Sequence, residues 1–584
     1  MKKFISIILS AVLAVSLVSC GQSGTKDSGT FTATKKGNND NLTVEVVLTE
    51  GHIDSVKVTE HKETPGICEK PIEEIPAAIV AAQSVNIDVI AGATFTSNAI
   101  IDGVKQALTD AGLNPEDYMG EVKVEKEEDI VKDVDVVVVG AGGAGLAAAV
   151  EAANGGAKVL VVEKMPKIGG NTMISGGGYN AVDPERQGAM GIEDSVDLFF
   201  DQTMKGGDNE GNPDLVRVMV ENALAGVEFL EQYGMIWQDE ITTAPGGLYQ
   251  RRHMPGNGSL GAPMMNALSK GCEENDVEIM LETKAEKIIM KDGKAAGIEC
   301  VGKTGNKVTV NASKGVIIAT GGFGANVEMR EEYNTLWPTL GEQILTTNHP
   351  GATGDGIVMA KEVGADLVDM EFIQLFAYGD PNTGSMTGSV MRQPEDAIYL
   401  NKEGKRFVNE YERRDVVSSA ALDQTDSVMY VVVDGKTYPD DNAPTDFGST
   451  IGAEVEAGRC VKGNTIEELA EAMGMDPAVV KATIDEYNAG VDANKDKFGK
   501  TPMNKIDTAP FYGNLRTPVV HHTMGGVRIN VNAEVIDTDG NVIPGLYAAG
   551  EVTGDIHGTN RVGANALTDI IVFGRIAGTN AAKN

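Results

Sequence analysis

Cysteine is scarce in this sequence. Five of the 584 residues are cysteines, and no two of them form a C-x-x-C pair: Cys20, Cys68, Cys272, Cys300 and Cys460. This spacing argues against a disulfide framework, an iron–sulfur cluster and a zinc site, and the lack of C-x-x-C-H excludes c-type haem attachment. We therefore expect no metal site, and any redox chemistry must come from an organic cofactor.

Basic residues are also few relative to acidic ones. Lysine and arginine number 49 against 85 aspartates and glutamates, which gives a net charge of −36. The negative electrostatic potential of such a protein repels nucleic acid and anionic membrane surfaces, so we expect no nucleic-acid partner. An anionic substrate would need a local positive pocket, which makes clustered arginines and histidines informative.

The length and composition describe a folded protein of several domains. At about 150 residues per domain, the chain predicts three or four units. Apolar residues at 42% and charged residues at 23% are ordinary for globular protein, which excludes extended disorder and a multi-span membrane protein. No period of 20 to 50 residues repeats, so a solenoid is excluded.

The N-terminus has the pattern of an export signal. Two lysines precede an apolar run from Phe4 to Val18, and small residues lead to Cys20. The end of this run resembles a bacterial lipobox, which implies a lipoprotein signal peptide over 1–20, lipidation of Cys20 and anchoring at the extracellular face of the membrane. A transmembrane anchor is the alternative, but the run is shorter than the roughly 20 residues a spanning helix needs. Residues 21–40 are polar and rich in Gly, Ser and Thr, which predicts a flexible tether.

Residues 41–120 read as a small α+β domain. Apolar and polar residues alternate on both sides of Glu50-Gly51-His52, which predicts a β-hairpin, and helices are expected near Ile75–Ser84 and Ser97–Ala111. The highly charged stretch 121–133 lacks a core pattern, so we predict a linker there. A second unit then begins at 134.

The second unit opens with a dinucleotide-binding pattern. A buried strand, Val134–Val139, is followed by a glycine turn, an alanine-rich helix and a second strand, Lys158–Val162. In G-x-G-x-x-G, Gly140 permits the tight turn, Gly142 lets backbone N–H groups approach a pyrophosphate, and Gly145 lets helix and strand pack closely. Glu163, at the end of the second strand, is placed to accept bonds from ribose hydroxyls.

Further glycine-rich segments favour a flavin over a nicotinamide. Lys167–Gly178, Val316–Gly324 and Gly545–Gly554 are expected to converge on one long ligand. Together with the first motif they resemble the FAD-binding domain of the fumarate reductase and succinate dehydrogenase flavoprotein family, over roughly Val134 to Ala582. The resemblance implies an α/β fold: a Rossmann-like FAD-binding domain over 134–369 and 521–584, with an α+β capping domain inserted at 370–520. The residues expected to contact non-covalent FAD are Gly140, Gly142, Gly145, Glu163, Gly169, Gly170, Asn171, Thr172, Gly177, Gly321, Gly322, Asp355, Glu551, Asn565, Ala566 and Leu567.

A second flavin is implied by the run from Asp88 to Thr94. It resembles the sequence in which a flavin transferase esterifies FMN phosphate to threonine, which makes Thr94 the covalent attachment site and a flavin transferase a maturation partner. The alternative is an ordinary loop before a helix capped by Thr96 or Ser97. An FMN-binding domain over 41–120, joined to this flavoprotein, is the architecture of bacterial urocanate, fumarate and acrylate-type reductases, which resemble flavocytochrome c without the haem.

Three more segments resemble the family's substrate site. His521–Asn530 and Gly558–Asp569 imply that His522 and Arg561 bind a substrate carboxylate, for which a guanidinium fork is suited. Asn401–Asp415 implies that Arg414 is the proton donor. In the reaction that the resemblance implies, hydride moves from FAD to the β-carbon of the substrate. Arg561 and His522 then stabilise the negative charge that develops on the α-carbon and the carboxylate. The alternative for Arg414 is that it is a surface residue held in a salt bridge.

The sequence departs from the family at two points. Counting back from Arg414 places Ser389, Val390 and Gln393 where fumarate reductases have a proton relay. Arg392 and Glu395 stand close by, so a small shift in register would restore charged residues to the relay. The histidine that binds fumarate's second carboxylate falls at Phe376, and an apolar ring cannot bind a carboxylate. A small acid with one carboxylate and an apolar or aromatic tail is therefore favoured, of the urocanate, acrylate or cinnamate type.

The sequence thus predicts an ene-reductase that serves as a terminal reductase of anaerobic respiration. Electrons would pass from a membrane donor, quinol- or flavin-linked, through FMN to FAD. Three alternatives stay open: a ketosteroid dehydrogenase or reductase with the same FAD fold, a fumarate reductase proper, and a non-catalytic extracellular electron-transfer flavoprotein.

Overall fold

The structure, a computed structural model, describes most of the chain. The described residues are 27–37, 41–63, 68–90, 93–120, 126–243, 249–258, 260–446 and 449–584. The predicted signal peptide and Cys20 lie outside them. The chain divides into two compact units, Met1–Lys123 and Val124–Asn584, and this division falls within the range 121–133 predicted as a linker.

The small unit is a three-stranded antiparallel sheet with two helices. Its elements are β1 (Gly29–Lys36), β2 (Asn41–Thr49), β3 (His52–Glu60), α1 (Glu69–Ala82) and α2 (Thr94–Asp110), and β2 is the central strand. Alternate side chains of β2, from Leu42 to Leu48, are buried against the helices. Glu50 and Gly51 both adopt positive φ in the turn between β2 and β3, so the hairpin is where the sequence predicts it. Both helices overlap their predicted ranges, although α1 begins at Glu69 and not near Ile75.

Strand β1 lies where the sequence predicts a flexible tether. It pairs with β2 along its whole length, from Gly29 opposite Leu48 to Lys36 opposite Asn41. The predicted tether over 21–40 is therefore wrong across Gly29–Lys36. The segment alternates threonine with Phe31 and Ala33, which pack into the core of the small unit. β-Branched threonine favours a strand once such a core is available.

The large unit begins at β4, which starts at Ile130, inside the predicted linker. Its strands are β4 (Ile130–Val139), β5 (Val159–Val162), β6 (Tyr179–Asn180), β7 (Thr242–Thr243), β8 (Gln250–His253), β9 (Glu278–Met280), β10 (Lys284–Lys291), β11 (Lys294–Val301), β12 (Lys307–Ile318), β13 (Leu367–Val368), β14 (Ile373–Gly379), β15 (Ile398–Leu400), β16 (Met429–Val433), β17 (Val461–Gly463), β18 (Phe511–Thr523), β19 (Gly526–Val527), β20 (Glu534–Ile536) and β21 (Val542–Ala548).

Helices connect and cover these strands. They are α3 (Gly143–Asn154), α4 (Gly170–Ile174), α5 (Pro184–Ala189), α6 (Val196–Gly206), α7 (Pro213–Glu221), α8 (Ala223–Gln232), α9 (Ala262–Glu274), α10 (Val327–Tyr333), α11 (Asp355–Glu362), α12 (Arg414–Leu422), α13 (Ile451–Glu456), α14 (Ile466–Ala472), α15 (Pro477–Asp492) and α16 (Asn565–Lys583). None of the helices in the described ranges has the length and apolar character needed to cross a bilayer.

A mostly parallel sheet forms the centre of the large unit. Strands β12, β4, β5 and β9 run parallel in that order, β21 pairs with the end of β12, and β10 and β11 extend the sheet antiparallel. The valines of β5 and those of β4 from Val134 to Val139 are buried, and helices α3 and α16 pack on this sheet. Helix α16 packs closely on α3, where a Cβ on Gly578 would lie 2.1 Å from the carbonyl oxygen of Ala148.

A second sheet builds the inserted region. Strands β14, β18, β16 and β15 are antiparallel neighbours, and β17 also pairs with β18. Helices α14 and α15 pack on this sheet around a core of their own. Strand β18 runs through residue 520, where the capping domain was predicted to end, and so carries the chain from one sheet back towards the other. The α/β fold with an inserted α+β region is confirmed.

Candidate active site

A cavity of about 860 Å³ opens at the carboxyl ends of β4 and β5. The backbone of Gly140, with φ of +104°, turns so closely that a Cβ there would lie 2.4 Å from the carbonyl oxygen of Ala319. A Cβ on Gly145 would lie 1.9 Å from the carbonyl oxygen of Gly140. The glycine spacing is therefore required by the packing of the turn, and it leaves the N-terminus of α3 facing the cavity, where backbone N–H groups bind phosphate.

Glu163 supplies the acidic side chain of this cavity. Its carboxylate accepts hydrogen bonds from the backbone N–H groups of Ala141 and Met165, each at 2.8 Å. Burial raises the pKa of Glu163. On the other side of the cavity, Lys164 Nζ lies 2.6 Å from Asp355 Oδ2. A helix N-terminus beside a fixed carboxylate fits the pyrophosphate and ribose of FAD.

A second cavity, of about 1290 Å³, continues from the first. Both are lined by Asn171, Thr172, Glu551 and Ile570, so together they form one long channel. Asn171 Nδ2 donates to Glu551 at 3.1 Å, and Glu551 also accepts from the backbone N–H of Thr523 at 3.1 Å. Burial raises the pKa of Glu551. A channel with a phosphate-binding end and a wider second chamber fits an extended dinucleotide such as FAD.

The structure brings most of the predicted FAD residues to this channel. Those that line one or both cavities are Gly140, Gly142, Glu163, Gly170, Asn171, Thr172, Gly177, Gly321, Asp355, Glu551, Ala566 and Leu567.

The other four predicted residues, Gly145, Gly169, Gly322 and Asn565, lie behind its walls. Gly169 donates its N–H to Ala141, and a Cβ on Gly322 would lie 2.0 Å from Thr523 Oγ1. Asn565 hydrogen-bonds to Asn180 at 2.7 Å and to Thr203 at 3.1 Å. In this structure these residues shape the channel by packing and hydrogen bonding.

Two arginines from distant segments meet in the second cavity. Arg414, the first residue of α12, donates from Nη1 to Oε1 of Gln374 at 3.3 Å, and Arg561, in the loop before α16, donates from Nη2 to the same oxygen at 3.1 Å. Gln374 lies on β14, where its Nε2 donates to Asn560 at 2.7 Å and to the carbonyl of Arg561 at 3.0 Å. No prediction from the sequence included Gln374, because a buried strand glutamine carries no motif.

The charges of both guanidinium groups are left without a carboxylate partner. Within the described residues, neither Arg414 nor Arg561 forms an ion pair within 4.0 Å, and the buried Nε atom of each has no hydrogen-bond partner. Glu551 and Asp569 act on Arg561 only from a longer distance. Burial lowers the pKa of Arg561 to about 9, with the positive charge of Arg414 adding to the effect, and burial lowers the pKa of Arg414 to about 10. Buried arginines are normally paired, so this pair is arranged for an anion that the described chain does not supply.

Two neutral histidines complete this end of the cavity. His522 is buried with no hydrogen-bond partner for Nδ1 among the described residues, and His521 stacks on Phe376 with ring centroids 4.9 Å apart. Burial and the nearby arginines hold the pKa of both rings well below the usual range. At neutral pH they act as uncharged hydrogen-bonding groups. His521 also lines the cavity, although the family motif points only to His522.

The remaining wall is largely apolar. Phe376 lies beneath Arg414, whose Cζ atom is 5.1 Å from the ring centroid, and it packs edge-on against Tyr378. Met386 and Met391 line the same chamber. Polar residues of this lining include Arg252, whose Nε donates to Thr242 Oγ1 at 2.9 Å, and the pair formed by Arg392 and Asp446.

The two residues suggested as a rebuilt proton relay are bonded to groups other than Arg414. Arg392 lines the second cavity together with Asp446, which lies 3.5 Å from its Nε, and it donates to the backbone carbonyl of Pro444. Glu395 accepts a hydrogen bond from Tyr411. No hydrogen bond or ion pair among the described residues joins either of them to Arg414. Of the positions obtained by counting back from Arg414, Ser389 lines the cavity and Val390 is buried in the core.

The predicted FMN attachment site lies at the start of α2. Thr94 is the first residue of that helix, but its side chain and residues 91–92 lie outside the described part. Ala93 occupies the N-cap, so the expectation that Thr96 or Ser97 caps this helix is wrong. Thr96 instead hydrogen-bonds to the buried Glu63, and Ser97 bonds back to the carbonyl of Ala93 at 2.9 Å.

Comparison with known proteins identifies both flavin-binding modules. The family described as FAD binding domain matches residues 135–567, and the family described as FMN-binding domain matches residues 37–109. The chain is 37% identical to NADH:acrylate oxidoreductase of Vibrio harveyi, covering 95% of this chain and 61% of that protein. It is 38% identical to urocanate reductase of Eggerthella lenta, covering 94% and 92% respectively. It therefore spans most of the second relative but less than two thirds of the first.

Solved structures show the same fold. The open conformation of a flavocytochrome c3 fumarate reductase aligns with a TM-score of 0.67 at 33% identity, covering 90% of this chain and 88% of that one. A 3-ketosteroid-Δ4-(5α)-dehydrogenase from Rhodococcus jostii aligns with a TM-score of 0.62 at 25% identity, covering 79% and 99%. Because one fold hosts both, the side chains of the second cavity must distinguish between the two chemistries.

Proposed function

Because this chain belongs to the FAD-binding flavoprotein family of the fumarate and urocanate reductases and carries an FMN-binding domain, we propose that it reduces the carbon–carbon double bond of a small α,β-unsaturated carboxylate. The observation that carries this proposal is the arginine pair that meets at Gln374. Two buried cations with no carboxylate partner among the described residues need an anion, and a substrate carboxylate matches a guanidinium fork.

Each site residue then has a defined task. Arg561 and His522 bind the carboxylate and stabilise the negative charge that grows on it and on the α-carbon during reduction. Arg414 donates a proton to that α-carbon. Its lowered pKa of about 10 makes it a better acid than an ordinary arginine. Bound FAD supplies the hydride.

The tail of the substrate faces an apolar wall. The part of the wall formed by Phe376, Met386 and Met391 offers no partner for a second carboxylate, and leaving a carboxylate unpaired beside these side chains carries a desolvation cost. Two further arginines line the cavity: Arg392 lies 3.5 Å from Asp446, and Arg252 donates to Thr242. We therefore favour an acid with a single carboxylate and an apolar or aromatic tail, such as a urocanate-, acrylate- or cinnamate-type acid, over fumarate.

A ketosteroid enzyme, the alternative, is compatible with the fold but not with the two buried arginine charges of the second cavity. A neutral ketone would leave Arg414 and Arg561 buried and unpaired, which is costly. A flavoprotein that only carries electrons would not need a carboxylate-binding site beside the FAD channel.

The route of electrons into the enzyme belongs to the same proposal. FMN esterified to Thr94 would pass electrons from a membrane donor to FAD, and a lipid on Cys20 would hold the protein at the outer face of the membrane. Intact-mass measurement of the matured protein tests the flavin: Thr94→Ala should lose the mass of the esterified FMN. Retention of that mass in Thr94→Ala would place the attachment elsewhere.

The activity is tested by anaerobic oxidation of reduced viologen with a panel of unsaturated acids. Wild type should turn over enoates, and Arg414→Ala should lower kcat by roughly 10²- to 10⁴-fold, as expected for loss of a general acid. Arg217→Ala, which removes a partly exposed arginine paired with Asp197, is the matched control. No turnover of any enoate by wild type would refute the proposed function, whereas full activity in Arg414→Ala would refute only the assigned acid.

A further inference from the structure

The two segments that carry the site arginines meet a second time, outside the cavity, at the carboxylate of Asp208. Arg413 donates from Nη1 to Asp208 Oδ1 at 2.5 Å and from Nη2 to Oδ2 at 2.9 Å. Thr559 donates from Oγ1 to the same Oδ2. Arg413 immediately precedes Arg414, and Thr559 stands two residues before Arg561. One carboxylate therefore contacts the flanks of both arginines.

Asp208 is held in place by its own turn. It follows α6 with a φ of +59°, and its N–H donates to the carbonyl of Lys205 at 3.2 Å. The preceding residue, Gly207, accepts a hydrogen bond from the N–H of Thr559 at 3.2 Å, and a Cβ on it would lie 2.2 Å from the carbonyl oxygen of His557. The turn is thus seated directly against the segment that leads to Arg561.

Arg413 does not depend on Asp208 for a counter-charge. It also donates to Asp415, from Nε at 3.1 Å and from Nη2 at 2.7 Å, and Asp415 lies on the same helix, α12. Loss of Asp208 would leave Arg413 paired within the capping region. What Asp208 adds is a link from the start of α12 to the FAD-binding part of the unit.

The link is poorly placed to stabilise the fold. The side chains of Asp208 and Arg413 are 48% and 32% exposed, and ion pairs this exposed contribute little to folding. Inside the cavity, however, Arg414 and Arg561 repel each other and share only the oxygen of Gln374. Gln374 orients both cations from within the cavity, and the contacts of Asp208 restrain the segments that carry them from outside it. Catalysis is sensitive to displacements of about 1 Å.

We propose that Asp208 is a positioning residue, which sets the spacing of Arg414 and Arg561 by tying together the segments that carry them. The expected effect of Asp208 on turnover rests on the function proposed above. The expected effect on the mobility of α12 is independent of that function, because the hydrogen bonds of Asp208 are present whatever the substrate is.

The test compares Asp208→Asn with Asp197→Asn in the full-length holoenzyme. Asp197 lies on the same helix, α6, and forms an exposed pair with Arg217 at 2.8 Å, so it is a matched control. For the enoate that wild type reduces best, Asp208→Asn should lower kcat on the order of tenfold, with KM, FAD content and melting temperature equal to those of the control. Amides of Arg414–Leu422 should exchange with deuterium faster than in the control, in the absence of substrate. Asp208→Glu, which keeps the charge, should recover part of kcat.

Two results would overturn the proposal. One is a kcat of Asp208→Asn within twofold of Asp197→Asn, with unchanged exchange in α12. The other is a loss of kcat matched by loss of FAD or by a lower melting temperature, which would assign Asp208 a general structural role. If wild type reduces no enoate, the proposed function fails, and the exchange rates of α12 still decide whether Asp208 restrains that helix.

Discussion

Arg561 donates a hydrogen bond of 3.1 Å to the side-chain oxygen of Gln374, the same oxygen that receives the guanidinium of the proposed proton donor. A neutral amide is well suited to this position. It orients both cations without neutralising them, so the positive charge stays available to an incoming carboxylate. A carboxylate side chain at position 374 would form permanent ion pairs with both arginines.

Gln374→Glu should therefore inhibit the enzyme. The new carboxylate would pair with Arg414 and Arg561 and compete with the substrate, which should raise KM on the order of tenfold to a hundredfold. Gln374→Met, of similar size and without charge, should have the smaller effect on KM. Steady-state assays with reduced viologen measure both, with FAD content as the control. A KM for Gln374→Glu within threefold of wild type would contradict this account of the site.

The pH dependence should report the arginines and not the histidines. Burial lowers the pKa of Arg561 to about 9, and the group binds a carboxylate only while it is protonated, so kcat/KM should be steady below that value and fall above about pH 9. His521 and His522 are held neutral, so they predict no inflection between pH 5 and 7. A pH–rate profile from pH 5 to 10 checks both statements. An inflection near 6.5 that His522→Asn abolishes would show a histidine that titrates.

Phe376 should control the choice between acids with one and two carboxylates. Phe376→His introduces a hydrogen-bonding ring on the apolar wall, and a hydrogen bond to a charged group changes relative affinity on the order of tenfold or more. The ratio of kcat/KM for fumarate to that for a cinnamate-type acid should rise accordingly. Phe376→Leu, which stays apolar, is the control and should leave fumarate disfavoured. An unchanged ratio in Phe376→His would remove Phe376 as the determinant.

Gly145 should be essential for folding around FAD. Because a Cβ there would lie 1.9 Å from the carbonyl oxygen of Gly140, Gly145→Ala should lower the free energy of unfolding by roughly 3 kcal/mol and reduce FAD content. Gly188 lies on α5, where an added Cβ would meet no atom within 4 Å, so Gly188→Ala should change stability by less than about 1 kcal/mol. Thermal unfolding and flavin absorbance measure both. Equal behaviour of the two variants would contradict the packing role of Gly145.

Local pattern was sufficient for much of the fold. The turn at Gly140 and the packing of Gly145 follow from backbone geometry over a few residues, so a motif reveals them. The hairpin at Glu50-Gly51 follows in the same way. Strand β1 was missed because its polar composition resembles a tether, and only the neighbouring strand β2 supplies its hydrogen-bond partners.

The site was predicted in part. Resemblance to the family pointed to Arg414, Arg561, His522 and Phe376, and the structure places all four around one cavity. Gln374 lies two positions before Phe376 in an otherwise apolar strand, and nothing in that strand marks it as a shared acceptor for two arginines.

By itself, the sequence determined the cofactor class, the two flavin-binding modules and the residues proposed to bind a carboxylate, because each depends on short stretches of chain. Only the tertiary structure decided which charges are paired. Asp208 is one acidic residue among 85 until folding brings it to Arg413, 205 positions away, and to Thr559, 351 positions away. Whether an arginine is neutralised or left for a substrate depends on such long-range contacts, which no local pattern encodes.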